Sequence, residues 1–264
     1  MRPFLKWAGS KKWLVRGGLD IPSGGFDRYI EPFLGSGAVF FDLLPGYSIL
    51  SDTNRHLVNS YQELKGNWEE VFVCYKDLFS KHSPDNYYKV RKELGDTGPL
   101  AAGQFIYLNR TCFNGIFRVN LAGQFNVPLG SKISDPFDRS DFEAWGAALA
   151  QSQIYESDFE QIIDKAGERD FIFVDPPYTV AHNKNGFIEY NEKIFSWDDQ
   201  IRLANSLMKA QQRGAKFLLT NANHSSVTQL YSPYFQIREV DRRSAIAGDV
   251  TKRRPISEII VSTH

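Results

Sequence analysis

Phe171-Ile172-Phe173-Val174-Asp175-Pro176-Pro177-Tyr178 is the stretch that decides the fold. Four consecutive apolar residues read as a buried strand. An acid followed by two prolines continues neither a sheet nor a helix. The chain must therefore leave the sheet at its carboxyl edge, where open α/β folds place ligands. The stretch presents a carboxylate, a prolyl carbonyl and an aromatic face. These groups suit a flat amine attached to a ring, with two acceptors for its hydrogens and a surface for stacking. Such an amine is a poor nucleophile because its lone pair is delocalised. Two acceptors beside it favour a pyramidal nitrogen that can attack an electrophilic methyl group. The plainer alternative is a polar turn after a strand, with Tyr178 as a packing aromatic.

A chain of 264 residues can bury a sizeable core, as one large domain or one domain with an insertion. Its 31 basic and 31 acidic residues cancel, so a nucleic-acid partner requires a locally basic face balanced by acid elsewhere. Cys74 and Cys112 give neither a disulfide framework nor a metal-ligand pattern, so no metal and a reducing, cytoplasmic setting are expected. No apolar run approaches a membrane span, and Met1–Lys6 lacks the apolar core of a signal peptide.

Outward from the central stretch, Tyr29-Ile30 leads into Glu31-Pro32-Phe33-Leu34-Gly35-Ser36-Gly37 and then the helically spaced Ala38–Leu44. Strand, glycine turn and helix follow one another, and glycines let backbone come close to a ligand. The turn has two glycines where a dinucleotide fingerprint has three, and no cation follows to meet a phosphate. A nucleoside site is the better reading. Tyr47–Ser51 reads as a second strand with Asp52 at its tip, where nucleoside-binding folds hold a ribose diol. Asp52 also suits a cap on the helix that begins at Asn54-Arg55-His56-Leu57. Upstream, Trp7 lies beside Gly9 with Lys6 and Lys11 flanking, a group suited to an amphiphilic ligand carrying a carboxylate or to an exposed loop.

Residues 54–150 break the βαβ rhythm. Leu57, Val58, Tyr61 and Leu64, continued by Val71, Phe72 and Tyr75, mark an amphipathic helix. Further helical spacing surrounds Tyr87 and Val90, and Phe105–Leu108. This is a mostly helical insertion carrying Asn109–Asn120 and Gly123–Lys132, a hairpin or loop punctuated by Gly115, Gly123 and Gly130. Arg110, Arg118 and Lys132 have no acid nearby until Asp135, and aromatics and amides are interleaved with them. Arginine reads guanine or grips phosphate, amides read base edges, and aromatics wedge or stack. A structural hairpin with solvated arginines is the alternative.

The α/β pattern resumes with Ile154-Tyr155. Asp158-Phe159 can meet an adenine ring through its amino group and face, or Asp158 can cap the following helix. Ser196–Asp199 has capping-box spacing, and Ile201, Ala204, Leu207 and Met208 fall on one face of the helix that follows. Lys216–Thr220 reads as a strand. Phe235–Val240 and Ile256–Val261 read as a closing antiparallel pair, joined by a basic loop with Arg242-Arg243 and Lys252-Arg253-Arg254.

Taken together these motifs resemble the Dam-type family of DNA adenine N6-methyltransferases, of the D12 class and α motif order. The resemblance covers most of the chain: Lys6–Lys11, Glu31–Gly37, Asp52, Asn109–Gly130 and Asp175–Tyr178. Ser10 departs from it, standing where the family usually has a second glycine. The resemblance implies a Rossmann-like, mainly parallel seven-stranded sheet for S-adenosylmethionine-dependent methyl transfer. It implies a catalytic domain of residues 1–53 and 151–264 and a target-recognition domain of residues 54–150. Asp175, Pro176, Pro177 and Tyr178 are the implied catalytic residues. Trp7, Lys11, Glu31, Phe33, Gly35, Gly37, Asp52, Asp158, Phe159 and Asp175 are implied around S-adenosylmethionine. Lys6, Arg110, Phe113, Asn114, Ile116, Arg118, Asn120, Pro128 and Lys132 are implied at double-stranded DNA. Lys6 and Arg118 would read guanines, Phe113 and Asn114 would fill the space left by an extruded adenine, and Pro128 would touch a base edge. Methylation of adenine N6 in 5′-GATC-3′ by a monomer is the expectation.

Other readings compete. The same catalytic motif serves cytosine-N4, RNA-adenine and glutamine-amide methyl transfer, and the hairpin favours duplex DNA and adenine. A nicotinamide-dependent oxidoreductase is disfavoured by the missing third glycine. A non-catalytic DNA-binding module is disfavoured by the intact Asp175.

Overall fold

The computed structural model describes residues 1–11, 13–14, 17, 20–120, 122–131, 133, 135–180, 195–243 and 255–263. Lys132, most of the polar segment after Tyr178 and residues 244–254 of the expected basic loop lie outside them, while Arg242 and Arg243 of that loop end a strand instead. Seven strands form one sheet in the order β3-β2-β1-β4-β5-β7-β6. They are β1 (Arg28–Glu31), β2 (Ser48–Asp52), β3 (Ser152–Glu156), β4 (Asp170–Val174), β5 (Lys216–Ala222), β6 (Gln236–Arg243) and β7 (Pro255–Ser262). β4 runs parallel to both β1 and β5. β7 is antiparallel to β5 and to β6, as the closing pair requires. The β3-β2-β1-β4-β5 portion has the doubly wound order whose direction reverses between β1 and β4. Open α/β sheets place ligands outside the carboxyl ends of their strands at such a switch point.

The chain divides into two compact units. The first comprises residues 1–17, 34–46 and 50–156, and the second 18–33, 47–49 and 157–264.

The first unit is mostly helical. The short α1 (Phe40–Leu43) follows the glycine turn, and α2 (Arg55–Ser80) is capped by the Asn54 side chain, which accepts from the Leu57 N–H. α2 kinks at Asn67, where φ is −138°. α3 (Pro84–Lys92), α4 (Gly98–Thr111) and α5 (Arg139–Leu149) complete it. Its core is aromatic: Phe4, Tyr61, Tyr75, Phe105, Phe142 and Trp145 are almost completely buried. Trp145 meets Phe4, Phe137 and Phe142 at centroid distances of 5.5, 4.8 and 5.1 Å. Its indole N–H donates to the Arg2 carbonyl, which is how a buried tryptophan keeps its polar atom satisfied.

In the second unit, α6 (Phe159–Ile163), α7 (Trp197–Gln212) and α8 (Ser225–Tyr231) accompany the strands. Val174, Phe217 and Leu219 pack with Leu203, Leu207 and Val227. The Ser196–Asp199 capping box is present. The buried face of α7 overlaps the expected one only in part. Ala204 and Leu207 are buried on it together with Gln200, Leu203, Ser206 and Ala210, whereas Ile201 is exposed and Met208 only partly buried. Hydropathy misplaces the face because Gln200 is inside: its Oε1 accepts from Asn221 Nδ2 at 3.2 Å. No helix among the described residues is long and apolar enough to cross a membrane.

Candidate active site

In the second unit, β4 ends at Val174 and delivers Asp175 to the carboxyl edge. Val174 lies opposite Leu219, which brings Asp175 next to Thr220 on β5. The buried Thr220 hydroxyl donates to Asp175 Oδ1 at 2.8 Å. Glu258 is fully buried on β7, and the Tyr178 hydroxyl donates to its Oε2 at 2.9 Å. The neighbouring strands β5 and β7 thus each anchor one side chain of the stretch that leaves β4. Burial, then the charges of Asp175 and Glu258, push the Tyr178 phenol well above its ordinary pKa. It remains a neutral donor held by Glu258. Pro176 is buried and Pro177 half-buried between these two anchored side chains in sequence.

Glu31 ends β1, the strand beside β4, and is buried. Its Oε2 accepts from the Tyr29 hydroxyl at 2.8 Å. Phe33 follows, half-buried, its ring stacked on Phe159 at 5.4 Å. Asp158 caps α6 by accepting from the Glu160 N–H at 2.9 Å. It also pairs with Arg202 at 2.9 Å, and the Arg202 guanidinium lies 4.9 Å from the Phe159 centroid. The capping reading of Asp158 is therefore realised, with an ion pair the sequence did not announce.

In the first unit, the glycine turn is built around its own packing. Gly35 and Gly37 have φ of +48° and +61°. A Cβ at Gly35 would come within 2.8 Å of the Trp7 indole, and one at Gly37 within 2.8 Å of the Tyr61 hydroxyl. Tyr61 in turn donates to the Gly35 carbonyl at 3.2 Å. Asp52, half-buried at the tip of β2, accepts from the Gly35 N–H through Oδ2 at 3.1 Å and from the Asn54 N–H through Oδ1 at 3.0 Å. It is not the helix cap; Asn54 fills that role. Burial raises the Asp52 pKa, opposed by hydrogen bonds from the Gly35, Asn54 and Thr53 N–H groups. Lys11 is buried and donates to the Gly9 carbonyl at 2.8 Å. The Ser10 hydroxyl, where a glycine was expected, meets Ser36 Oγ at 3.3 Å.

The helix α4 runs three residues into the expected hairpin, through Thr111, and a single 3₁₀ turn follows at Phe113–Gly115. The base is closed by Gly130 N–H to Thr111 O and Phe113 N–H to Pro128 O, and the far end by a Val119–Phe125 bridge. Phe113 is 50% exposed and Ile116 40%. Asn114 is exposed with φ +56°. Pro128 is exposed. Arg118 is exposed, and its Nε donates to Asn126 Oδ1 at 2.9 Å. Asn120 is committed to the turn, its Oδ1 accepting from the Ala122 and Gln124 N–H groups. Arg110 is half-buried, 4.7 Å over the Phe137 ring, and its buried Nε has no hydrogen-bond partner among the described residues.

A doubly wound sheet with an anchored acid at its carboxyl edge has the Rossmann-like architecture of the S-adenosylmethionine-dependent methyltransferases. Residues 7–246 match the D12 class N6 adenine-specific DNA methyltransferases, and the chain belongs to that family. It is an adenine-specific DNA methyltransferase, with DNA as its substrate. It is 34% identical to the type II methyltransferase M.MjaIII of Methanocaldococcus jannaschii, over 100% of this chain and 99% of that protein. It is 30% identical to the type II methyltransferase M1.LlaDCHI of Lactococcus lactis subsp. cremoris, over 100% of this chain and 96% of that protein. Identity to the DNA N-6-adenine-methyltransferase of Escherichia phage P1 is 36%, over 94% of this chain but 34% of that longer protein.

Proposed function

We propose that the chain methylates adenine N6 in 5′-GATC-3′ duplex DNA, using S-adenosylmethionine, on a base extruded from the helix. The observation that carries this reading is the anchored Asp175 at the carboxyl end of β4. Chemistry on a base buried in a duplex requires the base to leave the stack. By function, residues 1–53 and 151–264 serve catalysis and residues 54–150 target recognition. The enzyme acts as a monomer in the cytoplasm; its cysteines Cys74 and Cys112 are free, in keeping with a reducing compartment.

The residues present fit the methyl donor. In the first unit, Asp52 is fixed by backbone N–H groups and suits two ribose hydroxyls, beside the Gly35 turn and Trp7, with Lys11 buried upstream. In the second unit, Glu31, Phe33, Asp158 and Phe159 offer carboxylates and stacked rings. When bound, S-adenosylmethionine supplies an electrophilic methyl carbon. Asp175 and the Pro176 carbonyl accept hydrogen bonds from the two N6 hydrogens, localising the nitrogen lone pair. Tyr178, fixed by Glu258, supplies the stacking face. Asp175 aligns the amine, stabilises the positive charge that develops on nitrogen and stands ready to accept the proton that N6 then releases.

At the DNA, Arg118 reads a guanine through its fork and Lys6 reads the other. Phe113 and Asn114 fill the gap left by the extruded base, with Ile116 and Pro128 against the groove and Arg110, Asn120 and Lys132 along the strand. The test is exposure of a methylation-free genome to the purified enzyme and the methyl donor, followed by single-molecule sequencing. N6-methyladenine in GATC is expected. Modified cytosines, or adenines centred on another motif, would overturn the reading.

A further inference from the structure

Asn109 does not belong to the exposed hairpin. It occupies the last turn of α4 and is only 2% exposed. Its amide grips a residue 103 positions earlier from both sides: Oδ1 accepts from the Lys6 N–H at 2.8 Å, and Nδ2 donates to the Lys6 carbonyl at 2.9 Å. The same Nδ2 reaches the Gly115 carbonyl at 3.3 Å. One buried side chain therefore ties the amino-terminal segment, the end of α4 and the tight turn of the hairpin together.

The Lys6 side chain then runs across Gly115. A Cβ at Gly115 would lie 2.6 Å from Lys6 Cβ and 3.0 Å from Cγ, so no other residue leaves the lysine stem its path. Gly115 has φ +64° and follows Asn114 at +56°. Two successive left-handed residues make the turn sharp enough to present its bare α-carbon to Lys6. Lys6 is exposed overall, and partial burial of its ammonium and then the Arg110 charge lower its pKa. The lysine is seated on the recognition hairpin, although in sequence it belongs with Trp7 and the cofactor segment.

We infer that Asn109 and Gly115 are positioning residues for base discrimination, holding the Lys6 ammonium in register with the hairpin so that it can select its guanine. The inference rests on the proposed reading of a guanine by Lys6. A freely moving lysine is a poor discriminator, because its ammonium is a point charge on a flexible stem. Fixing its backbone and the first part of its stem removes part of that freedom.

The experiment compares kcat/KM on a GATC duplex with kcat/KM on duplexes in which either guanine is replaced. Enzymes carrying Lys6→Ala, Asn109→Ala, Gly115→Ala and the double change Lys6→Ala/Gly115→Ala are measured with the unaltered protein. Lys6→Ala should lower discrimination at one guanine about tenfold or more. Asn109→Ala and Gly115→Ala should each relax discrimination at that same guanine. Adding Gly115→Ala to Lys6→Ala should change the ratio no further, because the two act as one unit. A uniform fall in kcat/KM on all duplexes, with the ratio kept in both single variants, would overturn the inference while leaving Lys6 as a reader. An unchanged ratio in Lys6→Ala would instead overturn the guanine reading itself. Should Asn109→Ala fail to fold, judged by circular dichroism, Gly115→Ala and its double variant decide.

Discussion

Thr220 donates its hydroxyl proton to Asp175 Oδ1 at 2.8 Å, so the acid at the end of β4 is aimed by the neighbouring strand. Thr220→Val removes the donor and keeps the shape. Hydrogen bonds to charged groups contribute roughly 1.5–3 kcal/mol, so kcat should fall by about 10- to 100-fold if that energy is spent on alignment. Cofactor and DNA affinities should stay close to those of the unaltered enzyme. Thr220→Ser, which restores the hydroxyl, should recover most of the rate. Asp175→Ala should lower the rate by at least about 10² while the fold persists. Single-turnover kinetics separates these effects, and an unchanged chemical step in Thr220→Val would remove its aligning role.

The buried tyrosines make an alkaline limit to stability. Burial raises Tyr178, Tyr29 and Tyr231 far above their ordinary pKa, and raises Tyr107 to about 12. A raised native pKa means that the unfolded chain releases protons first as pH climbs. Stability from these groups is fully present below the unfolded-state value, near 10, and is lost above it. Each contributes a slope of about 1.4 kcal/mol per pH unit until its native pKa is reached. Thermal unfolding between pH 8 and pH 11 should show a flat region and then a steep, multi-proton fall. Tyr29→Phe should shallow that fall, and an equally steep curve would count against the argument.

Much of this fold could be read from where apolar runs stop. Phe171–Val174 ends in Asp175 and Phe217–Leu219 ends in Thr220, and both polar residues stand at the same level of the sheet. The first was recognised because an acid before two prolines has chemical meaning. Thr220 carries no such signature, and only strand register pairs it with Asp175. Glu258 is an acid inside an apolar strand, but nothing in the sequence pairs it with Tyr178, 80 residues away. The roles of Gly35 and Gly37 were legible as a turn, while the Trp7 and Tyr61 side chains that require them to lack a Cβ come from distant segments. Asn109 was counted with the hairpin because the helix end is set by Cys112, whose N–H closes the last turn on Leu108.

Asp52 holds the Gly35 turn through one oxygen and the start of α2 through the other. Asp52→Asn keeps a carbonyl acceptor but no charge, whereas Asp52→Ala loses both anchors. Loss of charge-assisted bonds of roughly 1.5–3 kcal/mol each should weaken S-adenosylmethionine binding by about tenfold or more in both variants. Asp52→Ala should in addition lose about 1 kcal/mol or more of stability through the released backbone N–H groups. Titration calorimetry with the methyl donor, alongside denaturant unfolding, reads the two effects apart. Unchanged cofactor affinity in both variants would leave Asp52 with a purely structural part.

Arg118 and Asn126 carry the sharpest expectation about sequence choice. The Asn126 carbonyl takes Arg118 Nε at 2.9 Å, which fixes the plane of the guanidinium while its two Nη groups remain for guanine O6 and N7. A good bidentate contact of this kind is worth about 1–3 kcal/mol of discrimination. Arg118→Ala should therefore relax selection at one guanine by about 5- to 150-fold in kcat/KM ratio. Asn126→Ala should relax the same guanine by a smaller factor, since it frees the fork without removing it. Arg110→Ala, half-buried against Phe137, should weaken binding on every sequence alike and lessen its salt dependence. Competition kinetics on duplexes altered one base at a time distinguishes the three. Equal loss on all duplexes in Arg118→Ala would deny it a base-reading role, and selective loss in Arg110→Ala would move that role to the end of α4.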